Sequence, residues 1–174
     1  VFYGYVEDGY DENGHIVYKN MDDDPAITAA DKTIIGDPNP DFLVNLTTAV
    51  SYKGFTLSAF FQSSIGNDIY SLSMAAQAYD YGYNGNTLRE VYYNHWTPEN
   101  PTAKYPNLDQ TSYKMSDRFV YDGSFVRLKN LELAYDVPCA RSKFIKRARV
   151  YVSAQNLFTI TSYPFWDPDI DRKS

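Results

Sequence analysis

In the stretch FLVNLTTAVSYKGFTLSAFFQ, which covers Phe42–Gln62, apolar residues alternate with small or polar ones on both sides of Lys53-Gly54. A period of two predicts β-strands, because successive side chains of a strand point to opposite faces. A two-residue turn pairs Tyr52 with Phe55 on one face, and both residues belong to the apolar sets. The stretch is therefore predicted to be an antiparallel hairpin of two long strands.

A second hairpin is predicted from the alternation in Asn130–Val137 and in Val150–Gln155. The non-apolar positions of both hairpins hold mainly Asn, Thr, Ser, Gln and Ala, whereas a soluble surface would carry more charge. Short turns also alternate with long connections, such as the one from Ser64 to Asp117. Both properties favour the wall of an outer-membrane β-barrel over a soluble β-sandwich, which remains the alternative fold.

The alternation assigns each strand position to lipid or to a polar lumen. Arg127 and Lys129 share the parity of Leu131, which predicts an outward position at the outer rim, near lipopolysaccharide phosphates. A bulge near Asp122-Gly123 would instead turn them inward. We assign the lipid face to Phe42, Val44, Leu46, Val50, Leu57, Phe61, Leu133, Val150 and Val152, and the lumen face to Asn45, Thr47, Ser58, Gln62, Asn130, Glu132, Ser153 and Gln155.

Composition narrows the class of protein. The 174 residues carry a net charge of -6, which disfavours nucleic acid as a partner because phosphate binding needs a basic face. No apolar run is long enough for a transmembrane helix. The chain opens at Val1 without a leader-like segment and stops without a closing element, so we expect a piece of a longer chain.

The long connection is predicted to contain short helices and an aromatic contact site. Asn67-Asp68 is a candidate cap for a helix over Ile69–Tyr79, and Thr87–Glu90 matches a capping box that opens a second helix. Aromatic side chains near these helices suit stacking on sugar rings or contact with a partner, and packing within the loop is the alternative. The candidate contact residues are Tyr79, Tyr81, Tyr83 and Trp96.

One acidic segment has the spacing of a calcium-binding loop. Positions 1, 3, 5, 7, 9 and 12 of an EF-hand-like count fall on oxygen donors, and Ala26 would contribute its carbonyl at position 7. Pro25 stands where the loop normally needs glycine, because proline cannot adopt a positive φ. A solvated acidic loop is the alternative. The positions in order are Asn20, Asp22, Asp24, Ala26, Thr28 and Asp31.

Six phrases, in order from Ile34 to Phe158, resemble the SusC/RagA-like family of TonB-dependent outer-membrane transporters, and the resemblance extends over about Tyr3 to Asp169. One such phrase is a weak signal, but six in the family's order are specific. They are IIGDPNPDF (Ile34–Phe42), SYKGF (Ser51–Phe55), GNDIY (Gly66–Tyr70), WTPENP (Trp96–Pro101), DGSFVRLKN (Asp122–Asn130) and SAQNLF (Ser153–Phe158).

The resemblance implies an all-β chain that supplies late strands of a barrel of about 22 strands, closed by a plug. It also implies import of oligosaccharides or peptides, a SusD-like surface lipoprotein as partner, and energy from TonB through an N-terminal region outside this chain. The implied location is the bacterial outer membrane. The expected segments are an extracellular loop (1–41), a hairpin (42–63), a long extracellular loop (64–117), a hairpin (118–158) with a periplasmic turn (139–147), and the start of another loop (159–174).

Other functions have weaker support in the sequence. A soluble carbohydrate-binding β-domain that uses the loop aromatics is the alternative function. Glycoside hydrolysis needs two facing carboxylates, and nothing in the sequence pairs Glu99 with Asp167, Asp169 or Asp171. We therefore predict that the chain is not an enzyme.

Overall fold

The computed structural model describes residues 1–79, 86–110, 112–139, 147–165 and 167–169. Within these ranges the long strands pair antiparallel throughout, and no helix is long and apolar enough to cross a membrane. The strands are β1 (Phe2–Gly4), β2 (Glu7–Tyr10), β3 (Ile16–Tyr18), β4 (Thr33–Gly36), β5 (Phe42–Tyr52), β6 (Phe55–Ile65), β7 (Asp68–Tyr70), β8 (Val120–Asp122), β9 (Phe125–Val137) and β10 (Ala148–Thr161), and the helices are α1 (Leu72–Tyr79) and α2 (Arg89–Tyr93).

The chain divides into two compact units. Unit 1 comprises Val1–Asn39 and Asp68–Tyr121, and unit 2 comprises Pro40–Asn67 and Asp122–Ser174. Unit 2 contains one four-stranded sheet in the order β10-β9-β6-β5. Its two long hairpins are those that the alternation predicts, although β6 continues to Ile65 and β10 to Thr161.

The turn between β5 and β6 follows from its two residues. Lys53 has φ 49° and Gly54 has φ 87°, so both central positions lie in the left-handed region. Turns of this kind match the right-handed twist of the flanking strands, and glycine adopts them at no steric cost. The register that results pairs Tyr52 with Phe55, as the pattern predicts.

Cross-strand pairing keeps the two predicted faces separate across the sheet. One row contains only apolar side chains, and the next row contains small or polar ones. The two rows are Val50–Leu57–Leu133–Val152 and Ala49–Ser58–Glu132–Ser153.

A β-bulge in β9 changes the face of Arg127. Lys129 is an extra residue in β9, because the pairing with β6 slips by one position there. One extra residue reverses the faces of the side chains beyond it. Arg127 consequently pairs with Gln62 on the polar face. The outward position predicted from parity is therefore wrong for Arg127, and the bulge lies at Lys129, not near Asp122-Gly123.

Unit 1 has a hydrophobic core of its own, assembled from segments far apart in the sequence. Short ladders join β1 to β4 and β2 to β3, and α1 contributes Ala78 and Tyr79 to the core. The buried members are Tyr5, Ile16, Tyr18, Ala78, Tyr79, Val91, Tyr105 and Phe119.

Both predicted helix starts differ from the structure. Residues 68–70 form β7, which pairs with β8. The Asp68 carboxylate accepts the Asp37 amide at 2.9 Å and therefore does not cap a helix. Helix α1 consequently begins only at Leu72. The Thr87 hydroxyl donates to the Gln77 carbonyl at 2.9 Å, and so it does not cap α2.

The Gly14→Ala substitution is predicted to destabilise unit 1. Gly14 has φ 79°, and the Trp96 indole occupies the space that a Cβ would need. An L-residue there combines backbone strain with a steric clash, so we expect a loss of more than about 1 kcal/mol. Amide hydrogen exchange across unit 1 measures this loss, and Gly9→Ala is the matched control because its φ is also positive but its Cβ would meet open space.

Candidate lipid-facing sheet and loop sites

The apolar face of the unit 2 sheet is a mainly hydrophobic surface, and most of its side chains are exposed. Val152 is 67% exposed and Leu133 is 45% exposed, although both lie in long strands with regular pairing. Soluble proteins rarely expose apolar patches of this extent unless the patch binds something. Each of β5 and β6 has 11 residues. At about 3.3 Å per residue and a tilt of about 45°, such a strand spans about 25 Å, which is the height of the apolar band of an outer-membrane barrel.

Aromatic residues mark the turn end of this face. The Phe55 and Tyr135 rings lie 4.5 Å apart on neighbouring strands, and the Lys53 ammonium lies 5.1 Å from the centre of the Tyr52 ring. Tyrosine and lysine suit a boundary between hydrocarbon and water, because each combines an apolar body with a polar tip. The arrangement is typical of the aromatic girdle at one edge of a membrane barrel.

The polar face carries charges that are paired with each other. Near the turn end, Arg149 lies 4.0 Å from Glu132 and 4.0 Å from Asp136. Near the opposite end, Arg127 forms ion pairs with Asp167 and Asp169, and Lys129 lies 3.7 Å from Asp169. A face with paired charges and Asn, Ser, Thr and Gln side chains is suited to water and not to lipid.

Two aspartates that follow β10 are thus paired with the Arg127 guanidinium. They are Asp167 and Asp169. Burial raises the pKa of Asp167, but the Asp169 amide and the Arg127 guanidinium more than offset that effect, so the pKa lies below its usual value. A carboxylate kept ionised by a neighbouring arginine is a poor general acid. Asp171 lies outside the described residues, and Glu99 is exposed in unit 1.

The predicted aromatic contact residues have different surroundings. Tyr79 is buried in the core of unit 1, where its ring stacks on Tyr113 at 4.0 Å and meets Phe119 edge-on at 4.9 Å. This environment agrees with packing within the loop, the alternative that the sequence leaves open. Trp96 is half-buried against Gly14. Tyr81 and Tyr83 lie outside the described residues.

A buried charge cluster, which the sequence did not indicate, joins distant segments of unit 1. The Glu7 side chain is 8% exposed and accepts hydrogen bonds from Ser116 Oγ at 2.5 Å, from Arg118 Nε at 2.5 Å and from the Tyr79 hydroxyl at 3.4 Å. Burial raises the pKa of Tyr79, so its hydroxyl stays protonated and remains a donor. Since Glu7 and Arg118 are 111 residues apart in sequence, only the fold brings them together.

The acidic loop is closed by Asp31, which is fully buried. Its two carboxylate oxygens accept the Met21 amide at 2.8 Å and the Thr28 amide at 2.7 Å, and these hydrogen bonds lower the pKa of Asp31. Earlier in the loop, three side chains each accept the backbone amide two residues further on. Asn20 accepts the Asp22 amide, Asp22 the Asp24 amide and Asp24 the Ala26 amide. Among the described residues no three His, Cys, Asp or Glu side chains are grouped to hold a metal ion. Calcium binding would therefore require these side chains to converge, and it stays a prediction.

A shallow groove of about 340 Å³ lies in unit 1 beside α1. It is open to solvent and lined mainly by aromatic and aliphatic side chains, with Lys114 as its cationic member. The sequence did not predict it, because its walls come from two segments about forty residues apart. They are Tyr70, Leu72, Ala75, Ala76 and Tyr79, together with Tyr113, Lys114, Met115 and Phe119.

Comparison with known proteins agrees with this arrangement. The chain is 33% identical over 168 residues to TonB-dependent receptor P3 of Formosa agariphila, covering 95% of this chain and 16% of the relative. It is 30% identical over 175 residues to TonB-dependent receptor SusC of Bacteroides thetaiotaomicron, covering 97% of this chain and 17% of that receptor. No protein-family model matches the chain.

Solved structures give the same result. The RagAB peptide transporter superposes with a TM-score of 0.81 and 27% identity, covering 96% of this chain and 20% of the solved chain. The RagAB peptide importer in its open-open state gives a TM-score of 0.78 at 28% identity, covering 96% and 19% of the two chains. These relatives are receptors and transporters rather than enzymes, in agreement with the prediction. The chain spans about one sixth of the length of its curated relatives, and over nearly its whole length it is similar to TonB-dependent receptors that include SusC.

Proposed function

We propose that this chain is a section of the barrel wall of a TonB-dependent outer-membrane transporter. The observation that carries the proposal is the exposed apolar face of the unit 2 sheet, about as tall as a membrane and backed by a polar face with paired charges. In the proposed arrangement the apolar face contacts outer-membrane lipid, and the polar face lines the lumen. The same arrangement disfavours the alternative of a soluble carbohydrate-binding domain, because such a domain would expose this whole apolar face to water.

The cargo and partners are further parts of the proposal. We infer that the longer protein imports oligosaccharides or peptides together with a SusD-like surface lipoprotein, and that TonB acts through a region outside this chain. The similarity to SusC and to the RagAB peptide importer supports this inference. Unit 1, with its own core and aromatic groove, is the proposed site of contact with the lipoprotein or cargo.

Extraction of the full-length chain from its native cells tests the proposed function. We expect it to stay in the outer-membrane fraction after salt and carbonate washes and to enter solution only with detergent. Co-purification of a surface lipoprotein and uptake of labelled peptides or oligosaccharides would then assign the partner and cargo. Recovery of the full-length chain in the soluble fraction without detergent would overturn the proposal in favour of a soluble binding domain.

Calcium binding by the 20–31 loop is tested by calorimetric titration of the full-length chain. We expect saturable heat with calcium that is lost in Asp22→Ala, because Asp22 supplies a hard oxygen at the third position of the loop. Asp23→Ala is the matched control, since this neighbouring carboxylate lies outside the ligand spacing. If calcium gives no heat, or if both variants bind equally well, the loop is only a solvated acidic segment.

A further inference from the structure

Several described residues after β10 contact the sheet that β10 belongs to or the segment just before β9. We call the described residues 162–165 and 167–169 the strap. At the start of the strap, Ser162 Oγ donates to the Asp122 carboxylate at 2.8 Å, and just before it Thr161 Oγ1 donates to the Ser124 carbonyl at 2.8 Å. These bonds tie the end of β10 and the start of the strap to the segment that precedes β9.

At the far end of the strap, two carboxylates meet the side chain of Arg127. Arg127 is 4% exposed, and its Nε donates to Thr159 Oγ1 at 2.9 Å, which fixes the guanidinium on the polar face. The two outer nitrogens then bind the two strap carboxylates, Nη1 to Asp169 at 3.2 Å and Nη2 to Asp167. An arginine fork that engages two carboxylates fixes the direction of the bound segment as well as its position.

This contact exists only because of the bulge in β9. Without the extra residue Lys129, the side chain of Arg127 would lie on the apolar face, away from the strap. The neighbouring strand shows a matching irregularity, in which Asn156 and Leu157 are inserted opposite Lys129 and Asn156 has φ 51°. Lys129 itself adds a second cation 3.7 Å from Asp169. Irregularities in adjacent strands thus shape the polar face for the strap.

The two sides of this contact differ in their exposure to water. The Asp167 and Asp169 side chains are 62% and 38% exposed, whereas that of Arg127 is 5% exposed. Ion pairs with a solvated partner are weak, because the departing carboxylate regains water at little cost. We propose that the strap is a latch: the Arg127 pairs with Asp167 and Asp169 hold it on the polar face, and their separation releases it while the sheet stays intact.

Release has a consequence for the polar face. An open strap leaves Arg127 and Lys129 without the carboxylates of Asp167 and Asp169, so two cations become available to water or to an anionic solute. If the polar face lines the lumen, this consequence belongs to the transport path, and to that extent it rests on the proposed function. The latch itself is a property of unit 2 alone, so its test can fail or succeed independently of transport.

A spin label on the strap tests the latch in the full-length chain. The label replaces the exposed residue Pro164 (Pro164→Cys, in a Cys139→Ser background), and its mobility is measured by electron paramagnetic resonance. In the Asp167→Asn/Asp169→Asn double variant we expect its rotational correlation time to shorten by about twofold or more, since a released segment moves on the nanosecond timescale. Arg127→Gln should have the same effect from the other side of the contact.

Controls separate release from loss of the fold. Glu132→Gln removes a carboxylate from the same face without touching the strap, and it should leave the label unchanged. A second label at Ser153 should keep the mobility of an ordered strand in every variant. Because the double Asn variant changes only exposed side chains, it decides the question even if Arg127→Gln fails to assemble. The latch is disproved if the strap label in the double Asn variant is as immobile as in the parent, or if Glu132→Gln mobilises it equally.

Discussion

Replacing Glu7 with alanine should unfold unit 1 locally at a cost of about 3–5 kcal/mol, the range found when one partner of a buried ion pair is removed. The reason is that Arg118, Ser116 and Tyr79 all direct donors at the Glu7 carboxylate. With the carboxylate gone, two buried hydroxyls lose their acceptor and a largely buried guanidinium loses its opposite charge. Amide exchange reports the loss, and the expected range corresponds to roughly a hundredfold to several-thousandfold faster exchange.

The reporters for this experiment are backbone hydrogen bonds inside unit 1. The Tyr5 amide donates to the Met115 carbonyl at 2.9 Å, and the Asp117 amide donates to the Tyr5 carbonyl at 3.1 Å. Glu12→Ala is the matched control, because Glu12 is an exposed acid of the same unit. Equal exchange rates at these amides in the Glu7 and Glu12 variants would show that the cluster does not hold unit 1 together.

An arginine at position 152 should impair membrane assembly, whereas an arginine at position 153 should be tolerated. Val152 lies on the apolar face, near the middle of β10 and two residues from Ala154. An arginine that faces lipid at that depth costs roughly 2–3 kcal/mol. Ser153 is the next residue along but lies on the polar face opposite Glu132, so an arginine there remains in water and gains a nearby carboxylate. The amount of folded, heat-modifiable barrel in the outer membrane measures both effects.

The pair of variants is informative because the two substitutions differ by one position only. Both introduce the same side chain into the same strand, so local propensity and expression are matched. A barrel wall predicts strong loss for Val152→Arg and near-normal assembly for Ser153→Arg. Comparable losses in the two variants would contradict the assignment of the faces.

Local pattern was sufficient to predict the sheet. The strands, the turn and the face to which each side chain points all depend on residues that are neighbours in sequence. Lys53-Gly54 alone determines the register of the first hairpin. Arg127 shows the limit of this reasoning, because the single inserted residue Lys129 reverses the parity on which the prediction depended. Residues 125–137, which surround Lys129, include no glycine or proline that would indicate the bulge.

The loop sites could be predicted only in part, because unit 1 is formed by distant contacts. Tyr79 is an aromatic residue in a long connection, and its sequence neighbours do not reveal that Tyr113 and Phe119 bury it. The predicted starts of α1 and α2 differ from the structure for the same reason. Asp68 has the side chain of a cap, but its carboxylate binds the distant Asp37 amide. In the sequence Glu7 resembles any exposed acidic residue. Only the fold shows that it is buried and paired with Arg118.

Alternating accessibility along β10 distinguishes a sheet with one lipid-facing side from a sheet in water. Spin labels are placed one at a time at Val150, Tyr151, Val152 and Ser153 of the full-length chain in its membrane, and collisions with oxygen and with a water-soluble nickel chelate are compared. We expect labels at 150 and 152 to meet mainly oxygen, which concentrates in lipid, and labels at 151 and 153 to meet mainly the chelate. Equal access of the chelate to all four positions would show that neither face of the sheet contacts lipid.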